Sequence, residues 1–113
     1  MGVVKRPEIL TGYTRKVNTG CGYLYITVNF KDNVPFEIFA QLGKAGGCAS
    51  AQLQAITRLA SICMRGGTSH EEIIEQLRGI SCPSKCWHNG EVIESCADAI
   101  AKTLEMLAER ELA

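Results

Sequence analysis

The chain has 113 residues, 46% of them hydrophobic, and its twelve Lys+Arg balance twelve Asp+Glu. With a mean hydropathy of +0.02 it reads as one globular domain with a modest core, not as a disordered chain. A net charge of zero offers no field for nucleic acid, and no apolar run approaches the ~20 residues of a membrane-spanning helix.

The opening MGVVKRPEIL lacks the long apolar core and cleavage site of a signal peptide, and Arg6 stands where myristoylation needs Ser or Thr. A cytoplasmic location is the expectation. Residues 1–11 read as a loose lead-in punctuated by Pro7, and residues 12–113 as a single domain.

Tyr13 to Asn18 alternates weakly and reads as a strand. Thr19-Gly20-Cys21-Gly22 is a turn, since two glycines bracket the cysteine. Tyr23 to Phe30 is aromatic, β-branched and alternating, the strongest strand signal in the chain. Lys31-Asp32-Asn33 is a hairpin turn, and Pro35 to Leu42 returns from it. Tyr23, Tyr25, Phe30, Phe36 and Phe39 read as a buried sheet face in preference to a base-stacking surface.

Gly43 to Cys63 opens with glycines and becomes an amphipathic helix. At 100° per residue Cys48, Gln52, Ile56, Leu59, Ala60 and Cys63 share one arc, with Leu53 at its edge. Ser50, Gln54, Thr57, Arg58 and Ser61 lie opposite. Arg65-Gly66-Gly67 ends the helix. Ser69 and Glu72 form a capping box for the next helix, whose apolar face is Ile73, Ile74 and Leu77 and which Gly79 stops. Residues 80–94 read as irregular, with an Asn89-Gly90 turn and a short strand over Glu91 to Glu94. Ser95 to Glu109 is a last helix, capped by Ser95 and Asp98. Its stripe is Ala97, Ile100, Ala101, Leu104, Leu107 and Ala108. Strands first and helices after give an α+β fold: an N-terminal three-stranded antiparallel meander packed against about three helices.

Six cysteines without a signal peptide point to metal binding or thiol chemistry before disulfides. Cys63, in a helical apolar arc, is expected in the core as a small hydrophobe. Cys21, Cys48, Cys82 and Cys96 each sit at a turn or helix start, and four thiolates are what a closed tetrahedral zinc site or an iron–sulfur cluster needs. Cys48, at a positive helix end after Gly46-Gly47, is a candidate thiolate or simply a small residue in a crowded junction. The same loop, Gly43, Lys44, Gly46 and Gly47, is a candidate anion-binding element, although it lacks the spacing of a P-loop. Cys86 and His88 are a possible redox or extra ligand pair, against the plainer reading of ordinary loop residues. His70 is expected to be solvated. No CxxC pair and no Ser/His/Asp arrangement is present.

The runs Thr19-Gly20-Cys21-Gly22-Tyr23-Leu24-Tyr25, Phe36-Glu37-Ile38-Phe39 and Leu42-Gly43-Lys44-Ala45-Gly46-Gly47-Cys48-Ala49 together resemble the TSCPD domain. Gln76 to Pro83, Ser95 to Lys102 and the opening Arg6-Pro7-Glu8-Ile9-Leu10 agree with it. That domain occurs near the C-terminus of cobalamin-dependent ribonucleotide reductases and as small independent proteins. The motif that names it reads here Glu94-Ser95-Cys96-Ala97-Asp98, with its Thr and Pro changed and its cysteine kept. The resemblance implies that Cys21, Cys48, Cys82 and Cys96 are the recurring set, with zinc as the metal and an iron–sulfur cluster as the alternative. Cys63 and Cys86 fall outside that set.

Ribonucleotide reduction needs a radical barrel, a substrate site and a cobalamin site, which a chain of this length and pattern cannot hold. The resemblance therefore implies an accessory, non-catalytic, zinc-binding module serving the catalytic domain of a cobalamin-dependent ribonucleoside-diphosphate reductase or a related enzyme, with cobalamin not bound by this chain itself. Two alternatives stand beside it. One is a thiol-redox module using Cys82 and Cys86, or Cys48. The other is an anion- or nucleotide-binding or oligomerisation module, in which an exposed sheet edge would give a homodimer.

Overall fold

Two hairpins of opposite size organise the chain. In the computed structural model, which describes residues 2–43 and 47–113, the larger one grows into a three-stranded antiparallel sheet. It contains β1 (Thr11–Thr19), β2 (Gly22–Lys31) and β3 (Val34–Leu42), in that order across the sheet. Asp32 and Asn33 turn β2 into β3 with φ of 54° and 65°, the left-handed pair that a tight hairpin of right-twisted strands demands. Alternation in β2 sends Leu24, Ile26, Val28 and Phe30 to the covered face, beside Val17 of β1 and Ile38 and Leu42 of β3.

Three helices follow: α1 (Gly47–Arg65), α2 (His70–Leu77) and α3 (Cys96–Leu112). α3 lays its small-and-branched stripe on the covered sheet face. Ala97, Ile100, Ala101, Leu104, Leu107 and Ala108 are buried, as their spacing predicts, and Ala99 is buried with them. α2 packs on α3 through Ile73 and Ile74, and Ser69 caps it by accepting the Glu72 N–H. The α+β architecture expected from the order of elements is the one observed.

The stretch 80–94, expected to be irregular, contains the smaller hairpin. β4 (Cys86–His88) pairs with β5 (Glu91–Ile93) across Asn89 and Gly90, with φ of 49° and 81°. The turn at Asn89-Gly90 and the short strand after it are as expected, with β5 ending at Ile93, and β4 is the strand that the sequence did not show.

α1 faces another way than its apolar residues suggest. Leu53, Thr57, Ala60, Ser61 and Met64 are buried, whereas Cys48, Gln52, Leu59 and Cys63 are exposed. The reason lies in what α1 packs against. β3 is an edge strand, and the N–H and C=O of Ile38 face away from β2. The Ser61 hydroxyl accepts from that N–H and donates to that C=O, both at 3.0 Å. The Thr57 hydroxyl is satisfied within the helix, donating to the Leu53 carbonyl at 2.9 Å. A helix docked on a strand edge can satisfy it with a hydroxyl on its inner face, so Ser61 turned inward beside Leu53, Ala60 and Met64, while Gln54 and Arg58 stayed exposed. The β3 edge of the sheet is covered at Ile38 for the same reason.

Residues 2–11 are also more than a loose lead-in. Val4 donates its N–H to the Arg65 carbonyl at 2.9 Å, and Arg65 Nε returns to the Val4 carbonyl at 3.0 Å. Arg6 Nε reaches the buried Glu37 carboxylate at 2.9 Å, and Asn29 Nδ2 donates to it at 2.7 Å. Of the aromatic residues expected on a buried sheet face, only Phe30 and Phe36 are buried. Tyr23, Tyr25 and Phe39 lie on the open face, because the alternation that buries Leu24, Ile26 and Ile38 turns their neighbours outward.

Ser61→Ala is expected to lower unfolding stability by about 1–3 kcal/mol, since it strands two backbone groups of Ile38. Urea unfolding checks this. An unchanged midpoint would mean that water takes the place of the hydroxyl.

Candidate functional site: a thiol cluster at one end of the sheet

Three cysteines far apart in the chain meet where the β1–β2 turn, the α2–β4 loop and the start of α3 converge. Cys21 is exposed in the turn between β1 and β2. Cys82 is half-buried in the loop, and its N–H donates to the Glu94 carbonyl at 3.0 Å. Cys96, half-buried, opens α3 just after the N-cap Ser95.

Glycine makes the meeting possible. A Cβ on Gly20 would collide with the carbonyl and the Cβ of Ser84, so the turn and the loop meet only because residue 20 has no side chain. Thr19 then ties the turn. Its hydroxyl donates to the Gly22 carbonyl at 2.7 Å, accepts the Cys21 N–H at 3.2 Å, and is contacted by Cys96 Sγ at 3.8 Å.

The Cys96 thiol is held above its ordinary value. Burial is the largest cause, opposed by the hydrogen bond to Thr19. The neighbouring Cys21, by charge and by hydrogen bond, and Cys82, by charge, add to the rise. A thiolate at Cys96 is disfavoured because it would sit out of water and beside two other sulfurs.

Asp98 holds the loop onto α3. Its carboxylate is fully buried, accepting the Gly79 N–H at 2.8 Å and the Glu94 N–H at 3.0 Å and pairing with Lys102 Nζ at 2.7 Å. Burial pushes the carboxyl up, but Lys102 and the two N–H groups outweigh it, and the group lies below its ordinary value of 3.8. Ser95 completes the staple by accepting the Asp98 N–H at 3.1 Å and donating to the Ile80 carbonyl at 2.5 Å. The expected cap therefore does more than begin a helix, since it fastens residues 79–82 alongside 94–98.

The other cysteines lie outside the meeting point. Cys48 is exposed in the first turn of α1. It belongs to the same end of the sheet, because Gly43 donates its N–H to Tyr23 beside the β1–β2 turn at 2.9 Å. Lys44 and Gly46 of the candidate anion loop lie outside the described residues, Gly43 has its amide committed to Tyr23, and Gly47 starts α1 with φ of 90°. Cys63, expected in the core, is exposed on the outer side of α1. Cys86 and His88 share one face of β4 and are both held by Asn18. Asn18 Nδ2 donates to Cys86 Sγ at 3.0 Å, and its backbone N–H donates to His88 Nδ1 at 3.1 Å. The CxxxC spacing thus separates its two sulfurs, with Cys82 beside Cys96 and Cys86 beside Asn18. His70, expected to be solvated, is half-buried beside Glu71, its Nδ1 3.4 Å from that carboxylate.

Sequence reasoning missed Thr19 and Asn18, the two β1 side chains that link the turn to α3 and to β4. Nothing in the residue pattern marks either, because both act on partners distant in the chain. Among the described residues no group of three or more His, Cys, Asp or Glu is arranged to hold a metal ion, so the sulfurs as they stand are a cluster and not a coordination shell.

The family model described as TSCPD domain matches residues 2–108. No curated protein and no solved structure is significantly similar to the chain.

Two outcomes follow from this geometry. In reduced, metal-free protein at neutral pH, iodoacetamide is expected to label Cys48 and Cys63 at least about tenfold faster than Cys96, as read by mass spectrometry of peptides. Equal rates would place Cys96 in solvent. Asp98→Ala is expected to cost about 2–4 kcal/mol of stability at pH 7, because it removes a cap and leaves buried donors unpaired. The Asp98 carboxyl is depressed on folding, so its stabilisation is complete above the ordinary carboxyl value and is lost as pH falls through the folded one. The acid limb of the wild-type stability curve should accordingly flatten in the variant.

Proposed function

The chain belongs to the TSCPD domain family, and on that premise we propose that it is an accessory, non-catalytic module of a ribonucleotide reductase or related enzyme, stabilised by zinc at its thiol end. The family is consistent with an accessory domain linked to such reductases. The observation that carries the metal reading is the convergence of Cys21 and Cys82 on Cys96.

The donor chemistry fits a thiophilic metal. Sulfur is concentrated at this end, the Asp98 carboxylate is already consumed by Gly79, Glu94 and Lys102, and the Glu94 carboxylate pairs with Lys85. A cation would offset the burial, and after it the neighbouring sulfurs, that make a Cys96 thiolate costly. Cys21, Cys82 and Cys96 would hold it, with Cys48 from the first turn of α1 as the fourth ligand. The exposed Cys21 and Cys48 would have to turn inward to do so. The metal would supply folding free energy and lock turn, loop and helix together.

A second reading is favoured by the nearness of Cys21, which raises the Cys96 thiol both by charge and as a side-chain neighbour. This pair, in place of Cys82 and Cys86, would reduce a disulfide of a partner enzyme. It would give up two electrons and two protons, and its own sulfurs would join as a disulfide.

One preparation separates the readings. Protein purified without oxygen or chelator is expected to carry about one zinc per chain, with Cys96→Ser losing both the metal and several degrees of Tm. Metal-free protein in which Cys96→Ser melts as the wild type does would overturn the zinc reading. A Cys21–Cys96 disulfide that forms reversibly in a glutathione buffer, absent in Cys21→Ser, would establish the redox reading instead.

A further inference from the structure

α1 is apolar on two sides. Its inner stripe is spent on β3 and the core, and its outer side is not covered. Leu59 is 68% exposed and Ile62 54% exposed, next to the exposed Cys63 and the half-buried Ile56. Spacings of three and four place these four on one stripe. A depression runs along each flank of it. On the β3 side a groove of about 460 Å³ brings Phe39, itself 50% exposed, to Leu59 and Ile62. On the α2 side a smaller apolar hollow of about 220 Å³ lies between Leu59 and Ile73. Leu59 is the ridge common to both. A helix that is hydrophobic on all sides is ordinarily buried, and a continuous exposed apolar face of this kind marks a contact surface.

Charge identifies what would cover it. α1 contains no Asp or Glu from Gly47 to Arg65, and its charged residues, Arg58 and Arg65, both line the larger groove. The carboxylate lining that groove, Glu37, is already paired with Arg6. The rim is therefore positive and the floor apolar. A second copy docked through the same face would set arginines against arginines, with no carboxylate of α1 between them. We propose that the outer face of α1 is a docking surface for an amphipathic helix of a partner protein, with an apolar stripe seated on Leu59 and Ile62 and carboxylates facing Arg58 and Arg65. Helix-in-groove recognition has this form, with apolar anchors in the groove and charge setting the choice of partner. The surface shares no residue with the thiol cluster, and its test is independent of metal content.

The experiment titrates the full-length ¹⁵N-labelled chain with a synthetic helical peptide. The peptide carries leucines at helical spacing flanked by glutamates, and its counterpart has lysine in place of every glutamate. The acidic peptide is expected to shift the amide signals of Phe39 and of residues 56–65, and to bind at least about tenfold more tightly than the lysine form, with a gap that narrows as salt is added. Leu59→Asp should remove binding while leaving Tm unchanged, since Leu59 is exposed. Arg58→Glu should weaken the acidic peptide about fivefold and strengthen the lysine one. Equal affinities for the two peptides, or no shift in α1, would overturn the proposal. So would a dimer in sedimentation that Leu59→Asp dissociates, since a second copy would then be the occupant.

Discussion

Asp98 is the constraint on which the functional end of the molecule depends. A carboxylate with no exposure to water is costly unless every lone pair is used. Here it is used by a backbone N–H from each of two separate segments and by Lys102 one turn further along α3, while the Asp98 backbone N–H donates to the Ser95 cap. One residue thereby decides where α2 ends, where β5 ends and where α3 begins. Cys82 and Cys96 inherit their positions from it. The Cys82 N–H adds one bond from the loop to the Glu94 carbonyl.

A similar economy governs α1. Its inner face sends Leu53, Ala60 and Met64 into the core and Ser61 onto the unpaired backbone of β3, so Leu59 and Ile62 point out. Covering a sheet edge this way removes a site of unwanted strand pairing. It also pushes apolar surface to the outside of the helix, where it is available to a partner. The N-terminal segment plays the matching part on the open face of the sheet, with Arg6 neutralising the buried Glu37 and Val4 tied to the last residue of α1. The two ends of the molecule are thus separate in chemistry. One collects sulfur and consumes its carboxylates. The other presents apolar side chains between arginines.

The sulfur end was the more legible of the two. Cys21, Cys82 and Cys96 could each be singled out by a local sign, namely bracketing glycines, a following proline and a preceding cap. Each sign reflects a backbone that bends sharply and so delivers a side chain to a defined place. Cys48 carried the same sign, yet it stands exposed at the start of α1, next to residues outside the described set. Cys63 misled, since a helical wheel records which residues share a face but not which face is covered. Thr19 and Asn18 could not have been found, because their importance lies in partners on α3 and β4.

By itself the sequence determined the three long strands, the three helices and the capping residues of the last two. Period-two alternation, capping residues and glycine stops act over a few neighbours, and their energies do not depend on the rest of the chain. It also determined the family, through glycine–cysteine pieces in a fixed order. Only the tertiary structure decided which side of α1 is buried, that Asp98 clamps three segments, and which thiols meet. Those outcomes depend on contacts between residues far apart in the chain, where an unpaired N–H or C=O on one element selects the side chain offered by another.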